Sequence, residues 1–547
     1  MRLRQVVGGL AGAAAMIALV NVASRVVGFV RWLTNASEVG PTSLGDAYNS
    51  ANTLPNVLFE VVAGGALASV VVPLLAAPIA AAVRKDVDRI ASAFLGWTLA
   101  VLVPLAVVVA VAARPIVWLV MRGESDAEIT VAAWLLAMFA LQIPLYGLGL
   151  VLTGVLQAHR RFFWPAFAPL LNSLVVISAF LVFGRMVADP AVDPASISAG
   201  ALAVLGWGTT AGVAVMSLPL LVPVRRLGVR LRPTLRFPEG VAARARSLAL
   251  AGLGALVAQQ ASVLVTMALA NRYGPDGTWP VYQYTQAVYV LPYAVLAFPL
   301  ATATLPRLAE RAAIKDDAGF ARLGAATTRL VLGVSALGAG VLVAIAPAVQ
   351  TVFEHVTPAG TDVEGMAVGL SWMAPGLLGF ALVLHVSRAL YALHRGRAAA
   401  TATAAGWLVA AVGAAVAVLA LTDGDRDRVG ALLGLGLAST VGMLVAGAAL
   451  LAALVRSAGR DTVAGVPRTL VVTVGAAALG AAAGRVLTDA FAGAGWVTAL
   501  VAGVGGAVLC GVVVLGATWL ADRTLLSAVR EPRATGEPVP GSAPTVG

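Results

Sequence analysis

Apolar residues fall along this chain in runs of about 20, the length that crosses a bilayer as a helix. Fourteen such runs are predicted, at roughly 8–33, 46–80, 90–113, 128–157, 163–184, 197–223, 247–271, 281–306, 325–350, 366–393, 398–421, 430–455, 469–487 and 494–521. The second run breaks the pattern. In DAYNSANTLPNVLFEVVAGGALASVVVPLL (46–75), Asp46, Asn49, Asn52, Asn56, Glu60 and Gly64 recur every three or four residues. At helical periodicity they share one face. A charged side chain at bilayer depth costs at least a few kcal/mol, so it faces a water-filled cavity or a partner. The pattern predicts an all-α polytopic membrane protein with a polar interior, and that points to transport.

Composition agrees. Of 547 residues, 60% are hydrophobic and 12% charged, with mean hydropathy +0.91; soluble domains carry about 25% charged residues. The net charge of +11 follows the loops. With the N-terminus inside, the inner segments hold 26 of the 37 Arg and Lys residues and the outer segments seven. The remaining four, Arg25, Arg31, Arg329 and Arg388, lie within runs. This bias predicts an inner-membrane protein with both termini cytoplasmic, and it explains the charge without nucleic acid. Arg outnumbers Lys 35 to 2, which looks like a high-GC bacterial coding bias. MRLR leads into the first run without a convincing cleavage site, so that run is expected to remain. Cys510 is the single cysteine, which excludes an intramolecular disulfide and a cysteine metal site.

The longest basic loop, RRLGVRLRPTLRFPEGVAARAR, divides the chain. The expected organisation is a six-helix lobe (1–224), a basic cytoplasmic linker (225–246), a second six-helix lobe (247–455), two further helices (469–521) and a disordered tail (522–547). The linker's charge reads as a topology signal and as contact with anionic headgroups, with a dedicated partner site as the alternative. An internal echo supports two lobes. LPNVLFEVVAGGALASVVVPLL (54–75) and LPYAVLAFPLATATLPRL (291–308) each begin with LP, continue with small residues and carry a later Pro. Their Pro-to-Pro separations differ by about one helical turn. Repeated bundles around a midplane site are a common transporter plan.

Several residues carry candidate chemistry. Asn21, Ser24, Gly28 and Arg31 form a polar face on the first run, with Arg25 beside it. Arg25 and Arg31 suit an anionic headgroup, because a guanidinium donates two parallel hydrogen bonds to phosphate. The competing readings are neutralisation of Glu60 or Asp46 and, for Arg31, snorkelling. Glu60 stands between a cavity switch and an ion-pair strut, and Asp46 between a gating role and helix capping. Tyr282, Gln286, Tyr289 and Tyr293 share a face suited to sugar contact, or to the membrane interface. Arg388 reads first as snorkelling and second as a binding cation. Neither lysine follows a phosphate-loop glycine pattern, and the four histidines lack metal-ligand spacing, so no enzyme signature is present.

The segments SRVVGFVR (24–31), GDAYNSANTLPN (45–56), GGALASVVVPLL (64–75), GVLQAHRRFFWPAFAPLLN (154–172), LPYAVLAFPLATATLPRLA (291–309) and SRALYAL (387–393) resemble the lipid II flippases of the MurJ/MviN type, within the multidrug/oligosaccharidyl-lipid/polysaccharide exporter superfamily. The resemblance implies flipping of an undecaprenyl-pyrophosphate-linked peptidoglycan precursor to the outer leaflet by alternating access. It implies a cationic cavity lined by the first spans and a lipid-tail groove formed by the last two. Arg25, Arg31, Asp46, Pro55 and Asn56 match family motif positions. The resulting site has Arg25, Arg31, Asn52, Asn56, Gln286 and Tyr289 as headgroup-binding residues, Asp46, Pro55 and Glu60 as coupling or gating residues, and Arg388 as a secondary candidate. No cofactor is expected; membrane potential or a monovalent ion is the expected source of coupling. The expected partners are the polyprenyl-pyrophosphate lipid, membrane lipids and cell-wall synthesis machinery, around a monomer. Phe59, Gly64 and the pair Gln286–Ala287 stand where many members carry charge, a departure that resembles the actinobacterial branch. The alternatives are a flippase for another polyprenyl-linked glycan, a drug/cation antiporter of the same superfamily and a non-transporting scaffold.

Overall fold

The computed structural model describes residues 2–491, 493 and 495–521, and no strand occurs among them. The expected disordered tail, 522–547, lies outside the described residues. The first half contains α1 (Arg2–Glu38), α2 (Ser43–Phe59), α3 (Gly65–Ala80), α4 (Arg84–Val111), α5 (Ala113–Val120), α6 (Asp126–Phe139), α7 (Gln142–Ala158), α8 (Phe163–Met186), α9 (Ala199–Ser217) and α10 (Leu221–Arg226). The second half contains α11 (Val241–Tyr273), α12 (Thr278–Pro292), α13 (Phe298–Ala313), α14 (Asp317–Val356), α15 (Met366–Met373), α16 (Leu377–Ala392), α17 (Gly396–Leu421), α18 (Arg428–Ala458), α19 (Val466–Ala490) and α20 (Trp496–Ala521). Twelve helices among the described residues are long and apolar enough to cross a membrane. The other two of the fourteen expected runs fall on α1 and on α2 through α3.

Side-chain caps start many of the helices. Thr42, Ser125, Ser198, Asp316 and Asp427 each accept a backbone N–H from the first turn that follows, satisfying donors that the helix leaves open. Valine and leucine side chains such as Val107, Val108, Val412 and Val512 point outward and form an apolar exterior, as lipid requires.

Packing is mostly within each half. In the first, α1 lies on α8, α2 on α6, α4 on α7 and α8 on α9. In the second, α11 and α18 flank α17, α16 lies on α18, and α19 and α20 lie on α14. The halves meet where α3 crosses α11 and where α1 and α2 touch α12. One apolar core, including Tyr48, Phe139, Tyr284 and Leu370, belongs to both halves. It lies toward the end that carries the loops after α1, α5, α11 and α17, here the far end. Toward the opposite, arginine-rich end the core divides. One cluster, around Val87, Leu152 and Val224, belongs to the first half; another, around Leu332, Leu390 and Leu450, belongs to the second. The shared apolar core therefore joins the halves at the far end, while on the basic side each half has its own core and α3 against α11 holds them together.

The internal echo has a structural counterpart. A wide π turn, Glu60–Gly64, separates α2 from α3, and another, Tyr293–Ala297, separates α12 from α13. Pro73 follows Glu60 by the same distance as Pro306 follows Tyr293. The extra helical turn in the first copy lies between Pro55 and its π turn.

Candidate functional site

A cavity of about 310 Å³ lies inside the first half, bounded by α1, α2, α7, α8 and α9 and by Gln283 of α12. The middle of the polar stripe, Asn49, Asn52 and Asn56, faces it together with Arg31 and Tyr146. Local hydrogen bonds fix the stripe. Asn49 Nδ2 donates to the Gly45 carbonyl at 2.9 Å, and Asn56 Nδ2 to the Asn52 carbonyl at 3.0 Å. Gln283 Nε2 reaches across the halves to Thr53 Oγ1 at 3.2 Å. Asn52 Oδ1, Asn172 Oδ1 and Gln283 Oε1 are buried without a hydrogen-bond partner in the protein, so the wall keeps unused acceptors.

A second cavity, about 350 Å³, adjoins the first and lies between α1 and α12. Arg31, Trp32 and Gln283 line both, so Arg31 sits where they meet. Arg25, Gln286 and Ala287 line the second. The Arg31 guanidinium carbon is 5.6 Å from the Trp32 ring centroid. Among the described residues, neither Arg25 nor Arg31 forms an ion pair, so neither neutralises Asp46 or Glu60. The Phe298 ring receives Arg25 at 5.5 Å and Arg388 at 5.8 Å, and Arg388 Nη1 donates to Thr302 Oγ1 at 3.0 Å. Arg388 thus stands with Arg25 on one aromatic side chain, each within cation–π range.

The other candidates go elsewhere. Tyr289 lines a separate cavity of about 100 Å³ inside the second half, whose wall also includes Tyr282, Gln259 and Ser262; Gln286 lines this cavity as well as the one between α1 and α12. Pro55 is buried within α2. Glu60 opens the π turn and lies outside the cavity walls described above. The wide turn carries more residues per turn than an α-helix, so the stripe loses phase beyond Glu60, whose own N–H still bonds the Asn56 carbonyl.

Asp46 is buried at the far end. Its carboxylate accepts the Gly277 N–H at 2.5 Å and the Trp279 N–H at 3.3 Å, tying α2 to the start of α12. Other contacts close the same end. Asn271 Nδ2 donates to Ser50 Oγ at 3.0 Å and Tyr284 Oη to Asn35 Oδ1 at 2.9 Å. Arg426 binds Glu124 of the first half and lies 3.4 Å from Asp276. Arg428 holds the carbonyls of Asp362 and Asp276 at 2.5 and 2.6 Å. The carboxylates of Glu124, Glu128 and Asp276 lie within 4.8 Å of one another. Burial, reinforced by Glu128 and Asp276 and opposed by Arg426, pushes the Glu124 carboxyl up to about 8.

Sequence reasoning missed Asn172, Tyr146, Gln283 and the Glu124–Arg426 contact. Asn172 and Gln283 are isolated polar residues in apolar runs, a signal that was available. The Arg426 contact joins positions 302 residues apart and left no local signal.

A family model described as "Lipid II flippase MurJ" matches residues 35–505. The chain belongs to the MurJ family. Among curated MurJ relatives, the "Probable lipid II flippase MurJ" of Rhizobium tropici is 26% identical over 53% of this chain and 53% of its own length. That of Rhizobium meliloti is 28% identical over 66% of this chain and 67% of its own length. The "Lipid II flippase MurJ" of Burkholderia cenocepacia is 27% identical, covering 68% and 70%. The matches thus span about half to two thirds of those proteins. A structure titled "Lipid II flippase MurJ, inward closed conformation" shares the fold at TM-score 0.69 and 17% identity, covering 91% of this chain and 98% of the other. An inward-facing multidrug resistance MATE family transporter shares it at TM-score 0.64 and 15% identity, covering 80% and 98%. This MurJ-family chain therefore has a transporter fold, as its polar interior predicted.

Proposed function

We propose that this protein flips lipid II, the polyprenyl-pyrophosphate-linked peptidoglycan precursor, across the bacterial inner membrane. One observation carries the reading: Arg31 stands unpaired where a polar cavity joins a second one, with Asn52 and Asn56 on one side and Arg25 and Gln286 on the other. A cation held inside the membrane without a counter-ion is costly, and a phosphate group repays that cost with charge-assisted hydrogen bonds. The pyrophosphate enters from the basic end past Arg25 and Arg388 and settles at Arg31. The basic end and both termini face the cytoplasm.

The two halves act as lobes, 1–224 and 247–455, joined by 225–246. The contacts at the far end release, the basic end closes, and the headgroup passes while the lipid tail stays in the bilayer. An apolar cavity of about 400 Å³ between α14, α16 and α19, lined by Ala339, Val343, Leu378 and Ala481, suits that tail. Asp46 and Glu60 are the acids through which membrane potential or a monovalent ion drives the cycle. The protein works as a monomer beside the cell-wall synthesis machinery.

Rescue of a flippase-depleted bacterium tests the reading. The intact chain restores growth. Arg31→Ala does not, although it reaches the membrane at normal levels, and Arg31→Lys restores growth in part. Normal growth with Arg31→Ala would overturn the proposal.

A further inference from the structure

The basic segment between α10 and α11 is a fixed strap. It runs extended beside α4, and main-chain bonds hold it there. The Arg230 N–H donates to Asp88 Oδ1 and the Arg232 N–H to Ser92 Oγ, each at 2.9 Å. The Thr234 N–H donates to the Ser92 carbonyl at 3.2 Å, and Trp97 Nε1 to the Leu235 carbonyl at 3.0 Å. Phe237 meets Phe94 edge-on, with centroids 5.2 Å apart. Gly96 makes the approach possible: a Cβ there would lie 2.2 Å from the Thr234 carbonyl oxygen. Extended backbone turns alternate residues to opposite sides. Val229 and Leu231 face inward, and Arg230 and Arg232 are exposed, as is Arg236 further on.

The strap's depth follows from two tryptophans. Trp97 on α4 and Trp118 on α5 are both exposed, 46% and 51%. Counted at the helical rise along α4 and α5, about 30 Å of chain separates them, matching the thickness of the hydrocarbon core. Exposed tryptophans at that spacing mark the two interfaces. The strap lies beside residues 88–97, on the basic side of Trp97, and so occupies the headgroup layer. Its surface is amphipathic: Leu235, 53% exposed, and Trp97 lie next to the arginines. Arg84 adds charge, with Nη1 4.0 Å from where a Cβ on Gly228 would be.

We infer that the strap is a binding site for anionic phospholipid. Arg230 and Arg232 hold the phosphate, while Leu235 and Trp97 meet the upper acyl chain. A soluble anion would use the arginines and leave those apolar side chains without purpose. The main-chain bonds keep the arginines in place without a ligand, which lowers the ordering cost of binding. The site is separate from the transport cavities and stands whether or not lipid II is the cargo.

The test places a bimane fluorophore on Leu235→Cys in a Cys510→Ala background, with the full chain in phosphatidylcholine vesicles. One tenth of the lipid is replaced by brominated phosphatidylglycerol or by brominated phosphatidylcholine. Phosphatidylglycerol is expected to quench at least about twofold more. The preference should disappear in Arg230→Gln/Arg232→Gln, which keeps both main-chain bonds, and in Gly96→Val, which displaces the strap with its arginines intact. Equal quenching by the two lipids would overturn the inference, as would a preference that survives the double substitution. Loss of the preference in inorganic phosphate would overturn the assignment to lipid.

Discussion

Replacing Asp46 with alanine removes the acceptor for two backbone N–H groups at the far end, those of Gly277 and Trp279. Asp46 is 5% exposed, so water does not replace the carboxylate while the end stays closed. An unsatisfied buried donor costs about 1–3 kcal/mol, and two cost about 2–6 kcal/mol. Both donors recover partners when the end opens, so the penalty falls on the closed state alone. Since about 1.4 kcal/mol is a factor of ten, the closed-to-open ratio should fall at least about thirtyfold. Asparagine retains one acceptor oxygen and should lose about half of the same free energy. Spin labels on Ser196→Cys and Glu364→Cys, exposed far-end positions on the two halves, report the change by pulsed dipolar spectroscopy in a Cys510→Ala background. The expected result is a new longer-distance population in Asp46→Ala and a smaller one in Asp46→Asn. An unchanged distribution in Asp46→Ala would refute the idea that this carboxylate holds the halves together.

The same labels read a pH response. Glu124, pushed up to about 8 mainly by burial, faces Glu128, Asp276 and Arg426. A raised carboxyl favours the folded contact in its protonated form; that contribution is complete below its ordinary value and fades as pH rises through about 8. The far end should therefore loosen as pH rises from Glu124's ordinary value of about 4.5 to about 8, and Glu124→Gln should flatten the curve. Arg388→Ala should weaken binding of a soluble pyrophosphate analogue to the purified protein less than Arg31→Ala does, because Arg388 stands at the mouth and Arg31 at the junction; equal losses by titration calorimetry would contradict that order. Gly379→Val should lower thermal stability by at least about 2 kcal/mol, because a Cβ at Gly379 would lie 1.9 Å from the Met443 carbonyl oxygen of α18; an unchanged melting curve would contradict the close packing of α16 on α18.

The helical runs were legible because lipid demands long apolar stretches, and the stripe on α2 because polar residues in such a run stand out. Its members nonetheless divide three ways. Asp46 goes to the far-end contact, Asn49, Asn52 and Asn56 to the cavity, and Glu60 to the start of a π turn. A single α periodicity drawn through all of them cannot register that change of pitch. Arg388 illustrates a different limit. Its snorkelling reading rested on position along the helix, whereas its place beside Arg25 depends on Phe298, which lies 90 residues away in sequence. The sequence pattern names the polar residues; which of them share a cavity depends on how the helices cross.

The paired π turns carry a mechanical consequence. Each holds about one residue more than an ordinary turn would. If such a turn tightens, everything beyond it rotates by about 100° around the helix axis. Two long helices, one from each half and each followed by a proline at matching distance, can therefore swivel the faces they present to the cavity while remaining continuous rods.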